Sequence, residues 1–266
     1  MSNRWLGRSS VLGVLLLLSC TTVENQPGVL PELKTQFGNA TPDYVKPEAL
    51  HCVVVVTNEA KNRLGSAIAI SETRLLTAAH VIDTDVGDDG VVELLIDGEL
   101  LQGKVVAMGD QETPHGDWAI LEFESGHWDA VATIHDLARN QSWAPPAGTE
   151  LLLVGYAAGF FPDLKVNIDE PPPAVVVRMS DIDSDDEWLA KGANLHLGGM
   201  SGGAAMIWNS VEQRGELVGV LHGYLATTIE EQEIRRFLGI EISRHIERTP
   251  GVAFVIHRLP AAMFEE

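Results

Sequence analysis

Leu197-Gly198-Gly199-Met200-Ser201-Gly202-Gly203 is the stretch from which the rest of this chain can be read. A serine set among glycines sits where the backbone can reverse tightly and leave a hydroxyl uncovered. Glycine has no Cβ to forbid the angles required. It also lets backbone N–H groups approach a reacting atom closely. Those are the needs of a nucleophilic serine and its oxyanion hole. Glycine–serine runs also occur in plain loops, so the supporting chemistry has to be found elsewhere in the chain.

A serine hydroxyl attacks at neutral pH only with a base to take its proton and a carboxylate to orient that base. Histidine suits the first role, because an ordinary imidazole is mostly neutral at pH 7. The chain holds nine histidines, so context has to choose. Thr77-Ala78-Ala79-His80 closes an apolar run with small residues, which would let an imidazole emerge uncrowded. In His115-Gly116-Asp117-Trp118-Ala119-Ile120-Leu121, Asp117 heads an apolar strand, where a carboxylate can be partly buried against a ring. His115 is a rival base, but its place in a Pro/Gly turn predicts a surface residue. An Asp at a strand start is often just a turn residue.

Around these segments the pattern is short apolar runs separated by turns. Cys52–Thr57, Ser66–Ile70, Val91–Ile96, Lys104–Met108 and Trp118–Phe123 read as strands. Leu75–Ile82 reads as a strand ending in one helical turn. Trp143–Gly148, with two prolines, reads as a connection between halves. Glu150–Tyr156, Ala174–Met179, Ala204–Trp208, Leu217–His222 and Val252–His257 form a second set of strands. Ile229–Ile246 is predicted to be a helix, and Leu259–Phe264 a short terminal one. Many short strands with little helix predict an all-β sandwich or barrels.

The three segments around His80, Asp117 and Ser201 resemble the signature segments of the trypsin-like serine peptidases, in that family's order. The spacings of 37 and 84 residues suit compact bacterial members. Val154-Gly155-Tyr156, Leu217-Val218-Gly219-Val220 and Gly251–Ile256 are similar to further strands of the family. The resemblance covers roughly residues 48–262. It implies two packed six-stranded antiparallel β-barrels with a short C-terminal helical part. The first barrel would span about 48–135 and the second about 148–258. It implies that Ser201 attacks the scissile carbonyl, His80 shuttles the proton and Asp117 orients His80. The N–H groups of Gly199 and Ser201 would form the oxyanion hole. No cofactor and no metal are implied, and a polypeptide is the substrate.

The chain also departs from the family. Met200 stands where zymogen-activated members carry an Asp that pairs with a new N-terminus, and no Ile-Val-Gly-Gly start is visible. Leu195 matches the base of the specificity pocket and is not acidic, so a preference for Arg or Lys is not supported. His222 follows the cleft strand, one residue out of register with the histidine that reads the substrate carboxylate in Glu-specific relatives. Two other readings compete. Gly199-x-Ser201-x-Gly203 fits the elbow of serine esterases, but that fold needs an acid and then a histidine after the serine. No Asp follows residue 186, and Gly202–Trp208 reads as a strand rather than a helix. The other is a non-catalytic envelope protein that uses the peptidase fold for binding.

Composition bounds the partners. A formal charge of −20 and a pI near 4.7 argue against nucleic acid, whose phosphates would be repelled. Arg4 and Arg8 followed by the apolar run Val11–Leu18 read as a signal peptide over residues 1–19. Leu17-Leu18-Ser19-Cys20 resembles a bacterial lipobox, so Cys20 is the expected lipidation site and membrane anchor; ordinary secretory cleavage is the alternative. The protein is then exported and held at the bacterial cell envelope. Residues 20–47, with four prolines, read as anchor and tether. Cys52, the remaining cysteine, sits in an apolar run and is predicted to be a buried small hydrophobe. The acidic runs Asp83–Asp89 and Asp181–Glu187 lack the spacing of a calcium loop and read as solvated loops. Nothing in the sequence sets the oligomeric state.

Overall fold

The computed structural model describes residues 41–265 apart from 58–63, 114, 126, 127, 129, 157–171, 173, 181–187, 193–198, 238 and 239. Cys20, Leu195, the signal segment and the second acidic run therefore lie outside the described residues.

Strands β1 (Val53–Thr57), β2 (Leu64–Ala69), β3 (Arg74–Thr77), β4 (Val91–Ile96), β5 (Glu99–Met108) and β6 (Ala119–Glu122) close into a barrel. Their order is β1-β2-β3-β6-β5-β4, and β4 pairs back to β1. A single helical turn, α1 (Ala79–Ile82), follows β3 as expected. β5 begins earlier than the apolar pattern suggested. Asp97 and Gly98 both take positive φ, as a two-residue hairpin turn requires, so pairing starts at once with Ile96 opposite Glu99.

The second unit comprises β7 (Thr133–Ile134), β8 (Glu150–Val154), β9 (Ala174–Met179), β10 (Trp188–Gly192), β11 (Ala204–Asn209), β12 (Arg214–Phe237) and β13 (Ile240–Arg258). Six of them run in the order β11-β8-β9-β10-β13-β12, and β11 pairs with β12 to close the ring. β7 adds to β12 in parallel. The fold is thus all-β, two closed six-stranded antiparallel barrels with almost no helix. The expected terminal helix is one 3-10 turn, Ala261–Phe264. Packed structure begins inside the predicted tether: Val45 is buried in the core, and Thr41 Oγ1 accepts the N–H of Ala174 at 3.1 Å.

Strand periodicity explains how the barrels join. Successive side chains of a strand point to opposite faces. Val54, Ala67, Ala69, Leu75, Ala119 and Leu121 fill the first barrel's own core. Their neighbours Val53, Ile68, Leu76 and Ile120 belong instead to the core shared with the second barrel. That is why β1, β2, β3 and β6 read as unbroken apolar runs. β4, by contrast, alternates buried with exposed or half-exposed positions, and β5 is mostly exposed or half-exposed, with only Gly103 buried. Each fully buried Ile or Leu at this junction contributes about 1.5–3 kcal/mol.

The predicted helix over Ile229–Ile246 is corrected by the structure. That segment is a β-hairpin of β12 and β13, with a register shift between Ile229 and Glu231 and continuous pairing from Glu231 opposite Ile246 to Phe237 opposite Ile240. Glu230, Glu231, Gln232 and Glu233 favoured a helix. Gly239 costs about 1 kcal/mol inside one, and Thr227, Thr228, Ile229, Ile234, Phe237, Ile240 and Ile242 are strand-forming types.

Candidate active site

The end of β3 is held by its own side chain. Thr77 Oγ1 donates to the carbonyl of Ser66 on β2 at 2.7 Å. The buried, small Ala78 and Ala79 then turn the chain into α1, which presents His80. Asp117, 2 % exposed, sits just before β6, the neighbour of β3. Its Oδ1 accepts the backbone N–H of His80 at 2.9 Å, satisfying one of the free donors at the start of the helical turn. Its Oδ2 lies 2.6 Å from His80 Nδ1. One carboxylate thereby fixes both the backbone and the ring of the predicted base.

The serine loop is tied to both barrels. Met200 O accepts the N–H of Gly203 at 2.9 Å, and Gly202 has φ +81°, the pattern of a type II turn with Ser201 at its second position. A Cβ on Gly202 would collide with the carbonyl of Ser66 and with Thr77 Oγ1. The loop is therefore pressed against the end of β3, three residues before His80. Ser66 N–H donates to Ser201 O at 2.8 Å. On the other side Gly202 N–H donates to Leu221 O at 2.7 Å, and Leu221 N–H to Gly203 O at 2.8 Å. Met200 is fully buried in the shared core, so apolar packing occupies the place where an activation ion pair would stand. Gly199 has φ +98°, a conformation that favours glycine.

His222 is the extra residue of a bulge: Leu221 pairs with Ile256 and Gly223 with Val255. Bulges re-aim side chains. Here Nδ1 of His222 is directed onto Asp117 Oδ2, the same oxygen that receives His80. The two rings meet edge to face, centroids 5.2 Å apart. Burial raises the Asp117 pKa, but hydrogen bonds from His222 and His80 and their charges outweigh it. The carboxyl is held well below the usual carboxylate range. An ionised carboxylate only accepts, so each ring carries a proton on Nδ1, and in its neutral form offers Nε2 as an acceptor. Both imidazoles remain about a third exposed, at 36 % and 37 %. Among the described residues, His80, Asp117 and His222 form the one group able to hold a metal ion, with ligand atoms within 4.8 Å of one another.

Behind His222 the rings continue inward. His257 stacks on it at 4.8 Å and 6°, and His115 meets His257 edge-on at 5.5 Å. The surface position predicted for His115 is corrected: it is 8 % exposed. Its φ of +56° folds the turn inward, its ring contacts Trp188, and Nδ1 accepts the N–H of Arg258 at 3.2 Å. Burial, then the nearby charge of Arg258, pushes its pKa down to about 4. Burial, then the facing histidines, pushes His257 down to about 3. Both ring nitrogens of His257 lack a hydrogen-bond partner among the described residues.

Sequence reasoning missed Ser66, which links the barrels through two bonds, its N–H to Ser201 and its Oγ accepting the N–H of Tyr156 at 2.8 Å, while its carbonyl accepts from Thr77 within the first barrel. A lone serine in an apolar strand was the only signal for it. Cys52 is a buried free thiol, as expected. The described acidic run Asp83–Asp89 is largely exposed.

Two closed barrels with a serine loop, an imidazole and a buried carboxylate at their junction define a class, the chymotrypsin-like architecture. The chain belongs to the trypsin-like peptidase domain family, whose signature matches residues 65–220. No curated protein sequence matches it significantly. The scabies mite inactivated protease paralogue S-I1 is similar in fold at 18 % identity, with 81 % of this chain and 92 % of that one aligned and a TM-score of 0.50. The Rv3671c protease of M. tuberculosis, inactive form, aligns over 84 % and 93 % at 18 % identity and TM-score 0.48. A serine endoprotease from Yersinia pestis aligns over 67 % and 58 % at 20 % identity and TM-score 0.45.

Proposed function

We propose that this chain is a serine endopeptidase that cleaves polypeptides through an acyl-enzyme. Ser201 attacks the carbonyl carbon while His80 Nε2 takes the hydroxyl proton. Asp117 holds the tautomer and stabilises the imidazolium, and the proton then passes to the leaving amine. The N–H groups of Gly199 and Ser201 receive the oxyanion. Water repeats the sequence to release the acid. The observation that carries the reading is the 2.6 Å contact between His80 Nδ1 and the buried Asp117 carboxylate. Leu195, at the sequence position that matches the base of the family's specificity pocket, is uncharged and so offers no counter-ion to a substrate Arg or Lys. The leader 1–19, lipidation at Cys20 and residence at the bacterial cell envelope complete the proposal; their support is Arg4, Arg8, the run Val11–Leu18 and the lipobox-like Leu17–Cys20.

A second reading, a binding protein on a peptidase fold, is favoured by one feature: His222 competes with His80 for the same carboxylate oxygen. Fluorophosphonate labelling separates the two. The endopeptidase reading expects wild type to be labelled and Ser201→Ala not, with turnover of a peptide library down by about 10⁶-fold in that variant. A folded wild type that the probe leaves untouched would favour the binding protein.

A further inference from the structure

Acyl transfer needs one imidazole on the orienting carboxylate; this chain has two. We propose that His80, Asp117 and His222 also form a zinc site, and that the ion switches hydrolysis off by holding the base through Nδ1. The regulatory half rests on the endopeptidase reading above; the site itself does not. Two imidazoles and one carboxylate are a ligand set that zinc accepts, with a fourth position left for water. They come from three separate places, α1, the approach to β6 and the β12 bulge, so both barrels preorganise them.

The surroundings suit an ion. Asp117 is buried and charged, while the two rings reach solvent and give a path of entry. Asp117 Oδ1 is already tied to the His80 N–H, which aims Oδ2 at the rings. His222 is held flat by its stack on His257. Ligand bonds of about 2.0–2.1 Å in a tetrahedron place ligand atoms about 3.3 Å apart. The His80–Asp117 contact of 2.6 Å would thus open by some tenths of an ångström as the ion replaces the shared protons.

The consequence is a change of tautomer. Zinc on Nδ1 requires each ring to be protonated at Nε2 instead, the proton passing through solvent with none lost overall. Nε2 of His80 is the atom that must accept the serine proton. With a hydrogen already on it, and Nδ1 tied to the metal, it cannot act as a base. Chelation restores the Nδ1–H tautomer.

The test uses the full chain, zinc alone and a competing chromogenic chelator. One zinc per chain is expected in wild type and in Ser201→Ala, which keeps every ligand. Affinity should fall at least about 100-fold in His222→Gln, which retains a hydrogen-bond donor toward Asp117, and in His222→Ser. The visible bands of tetrahedral Co²⁺ should appear in wild type and vanish in both variants. Fluorophosphonate labelling of wild type should be suppressed by zinc and return with EDTA, whereas the ratio with and without zinc should stay near one in His222→Gln. Zinc binding with no labelling under EDTA would support the site and refute the endopeptidase. Labelling without any zinc binding, or equal affinity in wild type and both His222 variants, would overturn the site.

Discussion

Acidification from pH 8 to pH 5 should cost this fold a large part of its stability, and the histidine stack sets how much. His257 and His115 are buried at 3 % and 8 % exposure, with pKa values pushed down to about 3 and about 4. In the unfolded chain each returns to about 6.5. Between these limits the unfolded state binds protons that the folded state refuses, so stability is complete above pH 6.5 and falls as pH drops toward 4 and 3. At pH 5 each group costs about 2 kcal/mol, about 4 kcal/mol together. Asp117 has the opposite shift, and its contribution is lost only below about pH 3.9, outside this window. With an m-value of about 2 kcal/mol/M, the urea midpoint read by tryptophan fluorescence should fall by about 2 M. His257→Phe removes one titrating group and two unpartnered nitrogens, so its midpoint should fall by only about 1 M. A wild-type midpoint that is the same at both pH values, or a His257→Phe protein as acid-sensitive as wild type, would refute the reasoning.

Three further outcomes follow from the same geometry. Gly202→Ala should destabilise by roughly 2–5 kcal/mol, combining a left-handed backbone with a clash against Ser66, and calorimetry should show a markedly lower Tm. Met200→Asp would bury a carboxylate with no counter-ion and should cost about 3–5 kcal/mol, with probe labelling at Ser201 lost before global unfolding in a urea series. Cys52, 4 % exposed and pushed up to about 12 mainly by burial, should react with a thiol reagent at pH 8 at least about a thousandfold more slowly than a free thiol, until denaturant is added. A wild-type Tm in either substitution, or rapid labelling of folded Cys52, would count against these accounts.

Much of the fold was legible because strand chemistry is local. β4 and β9 lie where the apolar pattern put them, and α1 follows β3 because Ala78 and Ala79 are small enough to turn there. The His80 and Asp117 segments were legible for a related reason: each is a polar residue at the end of an apolar run, where a side chain can stay held while its tip is free. The hairpin of β12 and β13 was not legible, since four helix-favouring residues in a row outweighed β-branched neighbours until pairing across the hairpin decided between them. β7 was missed because two residues carry no period, and β10 because it lies directly behind an acidic run. Burial of His115 escaped for want of any local cue: it depends on Trp188 and His257, which arrive from far along the chain.

The position of His222 shows how a single residue of register changes what a strand can do. On an extended chain, moving one place along turns a side chain to the other face. Leu221 and His222 are such neighbours. Leu221 holds the serine loop through its N–H and carbonyl while its side chain is buried, 1 % exposed. His222, the bulged residue after it, is turned toward Asp117 and has no backbone pairing partner on β13. A histidine one place earlier would take the orientation that Leu221 has now. Here it reaches the carboxylate, and its other face is covered by His257 from the adjacent strand. The constellation at the barrel junction is therefore one acid serving two imidazoles. The second imidazole is there because of where the bulge falls in β12.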